Sequence, residues 1–118
     1  MSLTALISCV ESNDVRLGVD GSVPCVSVNN PSRIVLIIDQ LSEDARQVGL
    51  YANGQNFSTD KYIVAEDLSA AIVKSVTIND AVAYECSVIS TNGSIHSNPA
   101  RINVYGEQWQ SVVIHVYL

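Results

Sequence analysis

Basic residues are scarce in this chain. Its 118 residues include six lysines and arginines against twelve aspartates and glutamates, a formal net charge of −6. Phosphate backbones and anionic membranes attract basic surfaces, so we expect no nucleic acid partner and no binding to lipid headgroups. No apolar run is long enough to span a bilayer, and residues 1–10 lack the basic start of a secretion signal. We expect any signal or membrane anchor to lie outside this sequence.

Motifs for catalysis and for metal binding are also missing. The sequence has no Cys-x-x-Cys pair, no two histidines at metal-ligand spacing and no glycine-rich phosphate loop. His96 and His115 stand alone, and the acidic pairs at 43–44 and 66–67 offer too few oxygens for a calcium ion. We therefore predict that the chain is not an enzyme and binds no metal and no cofactor.

What the sequence does contain is typical of β-strands. Hydrophobic residues make up 47% of the chain and charged residues only 15%, with valine, isoleucine, serine and asparagine abundant. β-Branched residues suit half-buried strands, and serine and asparagine suit the turns between them. The length fits one domain with a single core. The composition predicts an all-β protein.

The stretch 72–89 carries the most informative spacing in the chain. Asp80 stands at a predicted corner, and Tyr84 and Cys86 follow two residues apart on an alternating strand. This spacing resembles the tyrosine corner and second cysteine of the immunoglobulin superfamily, of the I-set or V-set type, in which the phenol hydroxyl bonds the backbone just upstream. The resemblance implies an immunoglobulin-like antiparallel Greek-key β-sandwich.

The resemblance also implies a partner for Cys86. Cys25 takes the place of the family's first cysteine, and a bridge between the two closes a loop of about 60 residues, a stabilisation on the order of 4 kcal/mol. Such a bridge indicates an oxidising compartment, although a reduced pair in an intracellular relative is the alternative. Cys9 is left over, either as a core residue of the first strand or as a free thiol that joins two chains.

Strands are predicted by alternation between turn signals. They cover residues 4–11 and 15–19 as one kinked strand, then 22–28, 33–39, 47–52, 61–64, 70–78, the strand through Tyr84 and Cys86, and 97–104. The tryptophan that usually packs on the disulfide is missing, and Leu36 is our candidate for its place.

We assign residues 1–105 to the immunoglobulin-like domain. Residues 106–118 then form an extension, either an extra strand or the start of a following domain. The alternative makes 111–118 the last strand of the sandwich and turns 90–110 into a loop of a length that is uncommon in compact domains.

The third predicted strand points to a binding surface. If Ile34, Leu36 and Ile38 fill the core, Val35 and Ile37 point outward on the front sheet, whose strands the family labels G, F, C and C′. By the same parity, Tyr51 and Ile89 lie beside them. An exposed patch of aliphatic and tyrosine side chains indicates a protein partner. The alternatives are that the chain's own loop or tail covers the patch, or that a shift of one residue in register exchanges the two faces.

These features lead to two hypotheses of function. The first is a noncatalytic extracellular recognition or cell-adhesion module of a receptor, adhesion or secreted immune-type protein. It would bind another protein, possibly a second copy of itself, through the front sheet. The second is a structural spacer domain of an intracellular or matrix array.

Two acceptor patterns for N-linked glycans support secretion. Asn56-Phe57-Ser58 and Asn92-Gly93-Ser94 both fit the pattern, and both fall in predicted loops. We predict Asn56 and Asn92 as glycosylation sites. A glycan on Asn92 would crowd the loop between the last two strands.

Overall fold

The computed structural model describes residues 11–106, which form nine strands and one short helix. The strands are β1 (Glu11–Arg16), β2 (Gly21–Pro24), β3 (Pro31–Ile38), β4 (Arg46–Ala52), β5 (Gln55–Asn56), β6 (Tyr62–Val64), β7 (Ala70–Val73), β8 (Ala83–Ser90) and β9 (Ile95–Tyr105). A single 3-10 turn, Ile78–Asp80, connects β7 to β8.

The strands form two sheets. The front sheet has six strands in the order β1-β9-β8-β3-β4-β5, and the back sheet has three in the order β2-β7-β6. Neighbouring strands pair antiparallel except β1, which runs parallel to β9. The predicted all-β sandwich is confirmed, with this parallel pair at one edge of the front sheet.

The core lies between the sheets and follows a period of two along each strand. Inward side chains from both sheets are almost completely buried, and they include Val23, Ile34, Leu36, Leu50, Ala71, Val73, Tyr84, Cys86, Val88, Ala100 and Ile102. Because alternate residues of a strand point to opposite faces, the same parity places the intervening residues of β3, β8 and β9 on the outward face of the front sheet.

The hairpin between β4 and β5 follows from Asn53-Gly54. Both residues have positive φ, 49° and 83°, which suits a two-residue hairpin turn. Ala52 pairs with Gln55 directly across the turn. An asparagine-glycine pair after an alternating strand is the strongest short-range sequence signal for such a hairpin.

Two strands, predicted at 22–28 and 70–78, end earlier than the sequence predicted. The strand predicted at 22–28 stops at Pro24, which has no N–H to donate to a ladder. The strand predicted at 70–78 stops at Val73, since Ser75 has φ +49° and leaves extended geometry. The Asp20 carboxylate holds this bend by accepting the Ser75 N–H at 2.9 Å.

The last strand of the front sheet is the predicted one. β9 pairs with β8 from Ile89 opposite Ile95 to Ala83 opposite Arg101. The alternative of a long loop over 90–110 is therefore wrong. Cys9, His115 and all of the extension except Gly106 lie outside the described residues, so the division of the chain at 105 stays a prediction.

Candidate protein-binding face

A disulfide joins the two sheets beneath the candidate face. Cys25 follows β2, Cys86 lies on β8, and their Cα atoms are 5.1 Å apart across the bridge. The predicted pairing is confirmed. Leu36 pairs with Cys86 in the front sheet and is fully buried, so it lies beside the bridge as an aliphatic side chain where the family usually has tryptophan.

Tyr84 closes the bend between the back and front sheets. Its hydroxyl donates to the Asp80 carbonyl oxygen at 2.7 Å, and its side chain is 0% exposed. Burial raises the pKa of the Tyr84 phenol, because the charged form loses its hydration. The Asp80 carboxylate in turn accepts the Thr77 N–H at 2.8 Å and the Lys61 ammonium at 2.7 Å. Sequence reasoning missed Lys61, which is 19 residues from Asp80 and has no local pattern that marks it.

The strand registers arrange the outward residues of β4, β3, β8 and β9 in three rows that cross the strands. The arginine ridge consists of Ala52, Arg33, Ile89 and Ile95. The trough consists of Gly49, Val35, Ser87 and Ser97. The glutamate ridge consists of Gln47, Ile37, Glu85 and Pro99.

The middle of the trough is more buried than the middle of either ridge. In the trough, Val35 is 7% and Ser87 is 9% exposed, although both point away from the core. On the arginine ridge, Arg33 is exposed and Ile95 is 65% exposed. Ile37 and Ile89 are half-buried. Small side chains therefore form a floor between two rows of larger ones.

Two of the four predicted binding residues lie where parity placed them and stand out from the floor. Ile37 and Ile89 point outward on adjacent strands. Val35 also points outward, but neighbouring side chains bury it, so it forms part of the floor of the trough and does not protrude. Its role in binding stays a proposal together with those of Ile37 and Ile89.

Tyr51 does not lie on this face, and the prediction that it points outward is wrong. Leu50 is an extra residue in β4, because Ile34 pairs with Tyr51 while Val35 pairs with Gly49. Such a bulge reverses the parity of the residues after it. Tyr51 packs against the core beside Ile34. The residue that reaches the outward face is Ala52, opposite Arg33.

Sequence reasoning missed Arg33, Gly49 and Ile95. Ile95 precedes the predicted strand 97–104, whereas β9 begins at Ile95. The sequence signal that would have found it is Asn92-Gly93, because a three-residue hairpin loop at this dipeptide pairs Ile89 with Ile95.

The charged groups on the face differ from those at the sandwich end. Within residues 11–106 both ion pairs use lysine, Lys61 with Asp80 and Lys74 with Asp20. Arg33 has no described carboxylate within 4.0 Å. Glu85 accepts a hydrogen bond from the Ser97 hydroxyl at 2.6 Å, which holds its carboxylate toward the β9 end of the trough.

Both predicted glycosylation sites are exposed. The Asn56 side-chain oxygen accepts the Ser58 N–H at 2.8 Å, and that of Asn92 accepts the Ser94 N–H at 3.0 Å. Asn92 lies in the turn between β8 and β9, next to the Ile89–Ile95 pair at one end of the arginine ridge.

Among residues 11–106, no cluster of three or more potential metal ligands occurs. The same residues contain no helix of the length and hydrophobicity needed to cross a bilayer.

Comparison with known proteins identifies the fold. No protein-family model and no curated protein matches the sequence. The structure is similar to the first immunoglobulin-like domain of human CD48 antigen, with a TM-score of 0.58 and 10% identity over 82% of this chain and 83% of that one. It is also similar to Dpr11 IG1 bound to DIP-gamma IG+IG2, with a TM-score of 0.56 and 19% identity over 81% of this chain and 99% of that one. The chain has the immunoglobulin-like fold.

Proposed function

We propose that this chain is a noncatalytic extracellular recognition or cell-adhesion module that binds another protein through the outward face of its front sheet. One observation carries the proposal. Ile37, Ile89 and Ile95 present aliphatic surface on one face, and Ile95 is 65% exposed there. Aliphatic side chains that are exposed together on one face of a sheet are what protein partners cover.

Two further features support the proposal. The Cys25–Cys86 disulfide is of the kind that persists in oxidising compartments, which fits an extracellular location. Dpr11 IG1, one of the similar structures described above, was solved bound to DIP-gamma IG+IG2. By analogy, we propose that the partner of the present chain is another immunoglobulin-like domain.

The spacer hypothesis makes a different prediction for the two cysteines. An intracellular spacer keeps Cys25 and Cys86 as thiols, whereas the recognition module keeps them oxidised. Counting free thiols in the native, non-reduced protein from its own source separates the two functions. A reduced pair contradicts the extracellular assignment.

Binding is tested with the full chain in multimeric form on a panel of purified cell-surface immunoglobulin-type ectodomains that includes the chain itself. A bound ectodomain is then titrated against Ile37→Asp. We expect this variant to lose binding, because it replaces an aliphatic side chain of the face by a carboxylate next to Glu85, and to keep a melting temperature near that of the wild type.

Ile72→Asp is the matched control. Like Ile37, Ile72 is half-buried on an interior strand of its sheet, but it points outward from the back sheet. We expect Ile72→Asp to bind as the wild type does. Equal binding by Ile37→Asp and Ile72→Asp contradicts the proposed face, and unfolding of Ile37→Asp shows that Ile37 belongs to the core.

We also propose that Asn56 and Asn92 carry N-linked glycans when the chain passes through a secretory pathway. Secretion from eukaryotic cells followed by peptide N-glycosidase treatment and mass spectrometry measures occupancy at each site. Absence of deamidation at both asparagines after this treatment contradicts the proposal.

A further inference from the structure

We infer that the trough receives a ridge of apolar side chains from a different protein, with a carboxylate placed against Arg33, and that this face does not dock onto a second copy of the chain. The inference rests on the proposed function, because it names the chemistry of the partner that the face binds. Shape, charge and symmetry each contribute one step to it.

The dimensions of the trough suit one row of side chains. Outward residues two apart along a strand are roughly 6.6 Å apart, so the two ridges lie about 13 Å from each other. The four strands that the trough crosses span about 14 Å. The trough is open at Gly49, where an added Cβ would meet no atom within 4 Å. A knob of aliphatic or aromatic side chains fills such a depression better than a flat surface does.

The charged residues on the two ridges indicate which charge the partner carries opposite them. Arg33 is exposed on one ridge with no described carboxylate within 4.0 Å. Glu85 on the opposite ridge already accepts the Ser97 hydroxyl. Of these two groups, the guanidinium is therefore the one without a described partner, and a guanidinium binds a carboxylate through two parallel hydrogen bonds when one is offered. Arginine is also enriched among the residues that dominate interface energetics.

Symmetry opposes docking between two copies. A ridge of one copy enters the trough of the other only if the twofold axis runs along the rows, midway between the trough and that ridge. If the arginine ridge is used, the two Arg33 residues are offset by only one row, roughly 7 Å, along the faces of two sheets about 10 Å apart. If the glutamate ridge is used, the two Glu85 residues have the same offset. Both long side chains then extend into the same gap, where like charges disfavour the complex.

A charge reversal in the same chain supplies a defined surrogate partner. Arg33→Glu keeps the aliphatic ridge and the trough but offers a carboxylate where the wild type offers a guanidinium. We expect each protein alone to remain monomeric and the equimolar mixture to form a one-to-one complex. Sedimentation velocity with a fluorescent label on one protein measures this at about 100 μM, where even a complex with a Kd in that range is populated.

Salt and a trough-filling variant test the same geometry. The mixed complex should weaken at least about tenfold between 10 mM and 1 M salt, because the screening length falls from roughly 30 Å to 3 Å. Gly49→Leu in both proteins should abolish it by filling the trough, whereas Gly49→Ala should bind within about threefold of the parent, since a methyl group leaves most of the depression open. Measuring the melting temperature of each variant tests whether it is folded.

The outcomes separate this inference from the proposed function. A mixture without a complex, or wild-type self-association that Gly49→Leu abolishes, overturns the inference and leaves the face as a protein-binding surface. An ectodomain whose binding is lost in Ile37→Asp but unchanged in Gly49→Leu does the same. An ectodomain that binds both variants as well as the wild type overturns the proposed function too.

Discussion

Polar groups at the end of the sandwich near Tyr84 have hydrogen-bond partners within the protein, whereas Arg33 on the outward face of the front sheet has no described carboxylate partner. Near Tyr84, the phenol, the Asp80 carboxylate and the Lys61 ammonium bond one another or nearby backbone atoms. On the face, Arg33 has no described carboxylate beside it, and Ile95 is exposed. The first region uses its polar groups to hold the fold together, and we propose that the second uses its exposed groups to bind another molecule. Substitutions in the two regions should therefore separate stability from recognition.

The largest loss of stability is expected from removing the disulfide. Replacing Cys25 and Cys86 by alanine removes a cross-link over 61 residues, and the free energy of unfolding should fall by about 4 kcal/mol. Urea denaturation of the full chain measures the change. A loss below about 1 kcal/mol would show that packing around Leu36 holds the sheets together without the bridge.

A smaller loss is expected from Tyr84→Phe. The variant removes the hydrogen bond to the Asp80 carbonyl, which keeps its bond from the Val82 N–H at 2.9 Å, so the cost should be about 1 kcal/mol. Urea denaturation near neutral pH gives this value, and binding through the face should not change.

The loss of stability caused by Tyr84→Phe should become smaller at high pH. Burial raises the pKa of Tyr84 in the folded protein, while the unfolded tyrosine ionises near pH 10. The contribution of Tyr84 is complete below pH 10 and is lost as the pH rises further, because the unfolded state releases a proton that the folded state keeps. The difference between wild type and Tyr84→Phe should therefore shrink above pH 10. A constant difference contradicts a buried phenol.

A weaker effect of opposite sign is expected from Asp20. The Ser75 N–H and then the Lys74 ammonium lower the pKa of its carboxyl below the ordinary value. Its contribution is present above about pH 3.9, where the unfolded aspartate is ionised, and is lost as the pH falls through the lower folded pKa. The stability difference between wild type and Asp20→Asn should accordingly disappear in acid. Thermal melts at a series of pH values measure it.

The smallest effect on stability is expected from Arg33→Ala. Arg33 is exposed and makes no ion pair with a described residue, so the free energy of unfolding should change by less than about 0.5 kcal/mol. Binding to an ectodomain found on the panel should nevertheless fall. A variant that is unstable but binds normally would reverse the roles of the two regions.

Much of the sandwich could be predicted from local sequence. Strand alternation located most strands but not all of their ends, and the Asn53-Gly54 turn and the spacing of Asp80, Tyr84 and Cys86 indicated the observed hairpin and corner. The disulfide followed because the family resemblance named both cysteines.

What could not be predicted depends on residues far apart in the sequence. The bulge at Leu50 reverses the face of Tyr51, and Gly49 indicates a bulge in this strand without giving the position of the extra residue. The contact of Lys61 with Asp80 needs the packing of two separate segments. The trough exists only when the registers of four strands are combined, so a single strand pattern showed Ile37 and Ile89 but not the depression between their rows.

The parallel pairing of β1 with β9 determines how the domain responds to tension. Glu11 lies opposite Ala100 and Arg16 opposite Tyr105, so the first and last described strands run side by side in the same direction. Pulling the chain apart at residues 11 and 105 slides the two strands past each other and stresses their hydrogen bonds together, in shear, where an antiparallel hairpin would open one bond at a time. Domains linked in series at both ends would resist mechanical extension at this edge first.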